Sequence, residues 1–239
     1  MKEEPARIPV AFCSRWLAPA LMVAALYTSQ AWASTTSFTD QASFLGASGV
    51  VTTTNFESAA VNTTFTSGTG PTGSGFTLSG TIGFGFTPMV ANKYRTTSAA
   101  NYLGLNSLPG IDSDTQFGNG DVLTFSFSAS KAFGLFVVGG SDLGAGDIKL
   151  SFGGTDFLNV GPATDIGEGS FAYYLGLVSD ADQTSATVTG LGEFALFALD
   201  DVSLNLPGDG GGDNRIPEPA SLALFGLALV AARVARGRR

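Results

Sequence analysis

The sequence predicts an all-β domain, an antiparallel β-sandwich over residues 34–206, framed by a hydrophobic segment near each end of the chain. Three observations carry the prediction. Apolar and polar residues alternate with period two in several short runs, while helix formers are thin. Glycine reaches 32 of 239 residues, about twice its usual share of ~7%. Nineteen Phe stand against two Trp, and such rings suit the layer between packed sheets.

The elements follow in chain order. Arg7 and Arg15 give a positive start, diluted by Glu3 and Glu4; Trp16–Tyr27 is an apolar run of 12 residues, and Ala31-Trp32-Ala33 has small residues at its outer positions. This is the layout of a secretory signal peptide, residues 1–33, with cleavage expected after Ala33. The apolar run is short for a membrane span, which needs ~20 residues. Cys13, the single cysteine, lies in the segment expected to be removed, so the domain must be stabilised by its core. A short helix is expected over Asp40–Ala47, capped by Thr39 or Asp40, with Phe44 and Leu45 facing inward. Strands are expected at Val50–Glu57, Gly75–Phe84, Asp121–Ser128, Ala132–Gly139, Asp147–Phe152, Phe171–Val178, Ser185–Gly190 and Phe194–Leu206. In the clearest of them Leu123, Phe125 and Phe127 share a face; in the last, Val202, Leu204 and Leu206 do. Residues 207–215, rich in Gly and Asp, read as a linker.

Charge and composition limit the function. Between Ser34 and Ile216, 17 acidic residues face five basic ones, a net charge of −12. Such a surface repels nucleic acid and anionic lipid, and suits an extracellular protein or one that binds cations. The chain has no histidine, and no cysteine remains after the expected cleavage. Ser-His-Asp and Cys-His catalysis are therefore excluded, as is a zinc site of His and Cys. A glycosidase needs two carboxyls roughly 5–9.5 Å apart. Asp112, Asp114, Glu168 and Glu193 are available, but most sit beside Gly, Ser or Asn in turn-like contexts. No enzyme is expected. Gly68–Gly73 fits G-x-G-x-x-G by letters only; Pro71 opposes a helix start, so it reads as a loop.

From Ala220 to Ala232 there are 13 apolar or small residues. As a helix they reach about 20 Å, against a bilayer core of ~30 Å. Arg233, Arg236, Arg238 and Arg239 would stay cytoplasmic, which puts the domain outside. The linker, the triplet Pro217-Glu218-Pro219, the short transmembrane helix and the arginine cluster together resemble the PEP-CTERM sorting signal of Gram-negative bacteria, over residues 216–239. The resemblance implies recognition by an exosortase, cleavage near the triplet, transient residence in the membrane, and delivery to the cell surface or medium. Members of the family are often linked to exopolysaccharide and biofilm. A plain C-terminal anchor is the alternative.

The domain's NFES, NYLG, FSFS, AFGLFVVG, YYLGLV and ALDDVSL stretches resemble β-rich domains common in such proteins, most without assigned activity. Phe56-Glu57 and Asp200-Asp201-Val202 further resemble jelly-roll carbohydrate-binding modules, where a structural calcium ties the first and last strands together. That resemblance implies a jelly-roll-like fold and calcium at Glu57, Asp200 and Asp201, oxygen donors of the kind calcium takes. An acidic turn or bulge without metal is the alternative. Because side chains alternate, one of Asp200 and Asp201 is expected inward and the other toward solvent. Tyr94, Tyr102, Tyr173 and Tyr174 are the candidate platforms for sugar; one of Tyr173 and Tyr174 is expected to be exposed. The resulting reading is an exported, non-catalytic surface or matrix protein associated with extracellular polysaccharide. A calcium-stabilised carbohydrate-binding module and a carboxylate-dependent glycoside hydrolase are the alternatives.

Overall fold

The computed structural model describes residues 34–106 and 116–206, all within one compact unit spanning residues 33–213. Its elements in order are β1 (Thr35–Phe38), helix α1 (Gln41–Ser48), β2 (Thr52–Thr54), β3 (Phe76–Thr81), a 3-10 turn (Gly83–Gly85), β4 (Pro88–Ala91), β5 (Tyr102–Leu105), β6 (Val122–Gly139), β7 (Ile148–Phe152), β8 (Thr155–Leu158), β9 (Thr164–Gly167), β10 (Ser170–Gly190) and β11 (Phe197–Leu204). The all-β, antiparallel expectation holds. The expected signal helix, linker and sorting helix lie outside the described residues. Among the described residues no helix is long and apolar enough to cross a membrane.

The strands form a single hydrogen-bonded network with the order β4-β5-β11-β6-β10-β7-β8, onto which β1, β2, β3 and β9 are added. Two long strands make this possible. β6 has 18 residues and β10 has 21, well beyond the usual strand of roughly 3–10. Sequence patterning splits each of them in two, since the alternating FSFS run and AFGLFVVG look like separate strands. The chain instead continues through Ser130, whose hydroxyl bonds both the N–H and the C=O of Ala132 and accepts from Asn205 N–H. Opposite it, β10 shifts register around Gln183. The N-terminal part of β6 pairs with β3 and with the C-terminal part of β10; its C-terminal part pairs with Phe171–Val178 and with β11.

Side chains from both parts meet in one core. Phe125, Phe127 and Phe152 surround Phe133, with ring centroids 5.1, 6.0 and 6.2 Å from it. Leu78, Leu150 and Val188 join Leu135, Val137, Leu175, Leu177, Leu199 and Val202 in the same buried cluster. Burial of each such side chain contributes about 1.5–3 kcal/mol. β11 is an interior strand, with β6 on one side and β2 and β5 on the other.

The opposite face is covered as well. Asp40 caps α1 by accepting from Ser43 N–H at 2.8 Å. The helix lays Phe44, fully buried, over Gly134 and Gly176, which are register partners on β6 and β10. A Cβ on Gly176 would lie 2.6 Å from the Phe44 ring, closer than packed carbon atoms come. Leu45, expected inward, is 36% exposed: a helix this short buries only the stripe that touches the sheet.

Candidate functional site

The sequence singles out Glu57, Asp200 and Asp201, and the fold brings them to one loop. β11 is irregular between Asp200 and Ser203, and Asp201 has a φ of 49°. That left-handed residue interrupts the alternation expected of a strand, a bulge-type departure. Both carboxylates consequently reach Thr97: its hydroxyl lies 2.8 Å from Asp200 Oδ2 and 3.2 Å from Asp201 Oδ2. Of the expected division, the inward half holds, since Asp200 is fully buried, while Asp201 is half-buried instead of facing solvent outright.

Asp200 is completely buried. Its Oδ2 accepts from the hydroxyls of Thr96 and Thr97 and from Ser98 N–H, and its Oδ1 accepts from Asp201 N–H. Four donors satisfy a buried carboxylate that would otherwise be strongly disfavoured. Glu57 holds the other end of the loop: its Oε1 accepts from Ala100 N–H at 2.7 Å, Asn101 N–H at 2.8 Å and the Ser98 hydroxyl at 3.1 Å. Burial works against the charged form of Glu57, but these donors outweigh it and hold its pKa below the usual carboxylate value. Asn101 closes the arrangement by donating to the carbonyls of Phe56 and Ala59. Residues 96–101 thus tie the segment after β2 to β11. Sequence reasoning missed this loop; its cue is the run Thr96-Thr97-Ser98, three hydroxyls among turn residues.

Asp201 differs from its neighbours. Burial, then the adjacent Asp200 and the more distant Glu57, push its pKa up to about 6, against a smaller lowering by the Thr97 hydroxyl. The ion pairs among the described residues, Arg95–Glu168 and Lys149–Asp156, involve none of the three acids. Acceptors are also in surplus. Ser98 has one hydroxyl hydrogen, yet Glu57 Oε1, Asn55 O and Asn101 O all lie within 3.4 Å of it. Carboxylate, carbonyl and hydroxyl oxygens are the donor types that suit calcium. The acids alone do not form a cage: among the described residues no group of three or more acidic side chains is placed to hold a metal ion.

Three of the four candidate tyrosines have no exposed ring to offer a sugar. Tyr102, Tyr173 and Tyr174 are buried and Tyr94 is half-buried. Tyr173 enters the main core, while Tyr174 packs under α1 against Phe44 and Phe136. Alternation does send the two to opposite faces, but both faces of β10 are covered there. Burial, then the charges of Asp201 and Asp40, raises the pKa of Tyr174. Of the carboxylates considered for hydrolysis, Asp112 and Asp114 lie outside the described residues. Glu168 is an exposed turn residue with φ 56°, 3.6 Å from Arg95, and Glu193 is exposed. The Gly68–Gly73 stretch is a loop leading into strand β3. Pro217, Glu218, Pro219 and the four terminal arginines lie outside the described residues.

The C-terminal segment, residues 215–239, matches the family model described as the PEP-CTERM protein-sorting motif. No curated protein matches the chain. Among solved structures, the K2 cleaved adhesin domain of Lys-gingipain aligns with a TM-score of 0.41 and 11% identity, covering 66% of this chain and 98% of that one.

Proposed function

The chain carries a PEP-CTERM protein-sorting motif, which implies export and processing by an exosortase in a Gram-negative envelope, and from that premise we propose a non-catalytic protein of the cell surface or extracellular matrix. The tripartite tail is the observation that carries the reading. Pro217-Glu218-Pro219 is the cleavage signal, the short apolar run holds the chain briefly in the inner membrane, and Arg233, Arg236, Arg238 and Arg239 keep its end in the cytoplasm. Extracellular polysaccharide is the expected neighbour. The missing histidine and the use of Asp200 and Glu57 as loop clasps support a binding or structural role over hydrolysis. The shared core of the two parts of β6 and β10 supports a jelly-roll-like sandwich.

Mass spectrometry of the protein recovered from cells tests the proposal. The expected product begins at Ser34 and ends near Pro217, without the arginines. Wild-type protein retaining Arg239, or unchanged processing after alanine replacement of Pro217, Glu218 and Pro219, overturns it.

A calcium-stabilised carbohydrate-binding module is the second reading, favoured by the acceptor surplus at Ser98 and the unneutralised Asp201. Glu57 and Asp201 would supply carboxylate oxygens and Asn55 and Asn101 carbonyl oxygens, with Asp200 holding the loop. Calcium would neutralise the cluster and lock β11 to the segment after β2.

A further inference from the structure

We propose that the groove beside β3 and the 3-10 turn binds a neutral saccharide. This deepens the carbohydrate reading and rests on it. The groove is open to solvent and has a volume of about 440 Å³, within the range of small-ligand sites, roughly 300–1,000 Å³. It runs from Phe65–Ser67, along Leu78–Ile82, to Gly85–Pro88.

Four features select the ligand class. First, none of the described lining residues is charged, in a domain whose charge is otherwise strongly negative. An anionic sugar gains no partner there and meets the repulsion of the whole surface. Second, Thr66, Ser67, Ser79, Thr81 and Thr87 all line the groove, and among the described residues none of these five hydroxyls has a hydrogen-bond partner. Hydroxyls both donate and accept, which matches sugar hydroxyls. Third, among the described residues no strand pairs with the edge of β3 past Leu78. Leu78 spends its edge-facing N–H and C=O on Thr69 and Gly68. By strand alternation Gly80 turns its own peptide groups to the same edge, past that bridge. Fourth, Ile82 and Phe86, both half-buried, add apolar surface for the C–H face of a sugar ring.

The walls are fixed in advance. Asp121 accepts from Gly83 N–H at 2.8 Å and so holds the 3-10 turn. Asn106 accepts from Thr87 N–H at 2.6 Å and donates its own N–H to Thr87 O at 3.0 Å. Phe65 N–H donates to Pro88 O at 2.8 Å. Preorganisation of this kind lowers the ordering cost of binding.

The test is a binding panel of cello-, manno- and galacto-oligosaccharides, with polygalacturonate as the anionic control, on the exported protein. The double variant Ser79→Ala/Thr81→Val removes two hydroxyls and keeps the strand's shape. At least one neutral sugar is expected to bind, and the double variant is expected to weaken it about tenfold, the scale of losing one or two neutral hydrogen bonds, at unchanged melting temperature. Asp182→Asn, an exposed residue of β10 outside the groove, is expected to leave sugar binding unchanged. If a sugar binds but the double variant binds it equally well, the groove is refuted and the carbohydrate reading survives. If no neutral sugar binds, or only polygalacturonate does, the proposal fails; with no binding at all, the carbohydrate reading fails with it. Should the double variant fail to fold, Ser67→Trp, which fills the exposed rim, replaces it with the same expected loss.

Discussion

Replacing Asp201 with asparagine should make the protein more stable at neutral pH. The carboxyl of Asp201 titrates at about 6 in the folded protein, against an ordinary value near 3.9. A folded-state pKa above the unfolded one means that the native state prefers the proton. The group's contribution is therefore intact below about pH 4 and is lost as pH rises through about 6. A gap of roughly two pH units corresponds to about 3 kcal/mol; partial exposure of the side chain reduces this to about 1–2 kcal/mol. Asparagine suits the substitution because it tolerates the φ of 49° at this position better than most residues, and its side-chain oxygen can still accept from Thr97. Urea unfolding of the exported protein in EDTA, at pH 4, 5.5 and 7.5, reads the effect. The variant should exceed wild type at pH 7.5 and converge with it at pH 4. A variant less stable at pH 7.5 in EDTA, or a difference constant across pH, refutes the reasoning. Millimolar calcium chloride should invert the order at pH 7.5 under the calcium reading, because only wild type keeps both liganding carboxylates, Glu57 and Asp201; an unchanged order removes that reading and leaves the pH argument standing.

Asp200→Ala should be severe, on the order of 3–5 kcal/mol by denaturant melts, since it strands the donors of Thr96, Thr97, Ser98 and Asp201 around a fully buried position. Phe133→Ala should cost about 3–5 kcal/mol in the same assay, because its ring is fully buried against three other Phe rings. Gly134→Ala should destabilise by about 1–3 kcal/mol, because the new methyl group drives into the Tyr174 hydroxyl and lies 3.0 Å from the Phe44 ring. Asp40→Ala removes the cap of α1, with an expected loss of about 1 kcal/mol, readable as a modest drop in melting temperature.

Individual strands were legible because period-two patterning is local. Leu123, Phe125 and Phe127 point into the core as the FSFS run requires. The joining of that run to AFGLFVVG was not legible, because nothing near Ser130 distinguishes a bend from a turn until Asn205, distant in sequence, bonds to its hydroxyl. The fate of Tyr173 and Tyr174 shows the same boundary. Alternation assigns them to opposite faces, but only the packing of Phe44 on Gly134 and Gly176 decides that the second face is dry. At the site, carboxylate identity was legible and geometry was not: the positive φ of Asp201, on a residue other than glycine, left no mark in the sequence, and the loop of residues 96–101 is defined only by what it bonds.

The interior position of β11 bears on how the domain would withstand shear if it is held by its C-terminal end in flowing liquid. Tension arriving through Leu206 would enter a strand zipped on both sides, to β6 and to β2, rather than one that peels from a rim. Extraction would have to rupture two ladders together, along with the Thr53–Ser203 hydroxyl link at 2.8 Å. The edge strand β1, at the other end of the chain, would yield first to a pull from its own side.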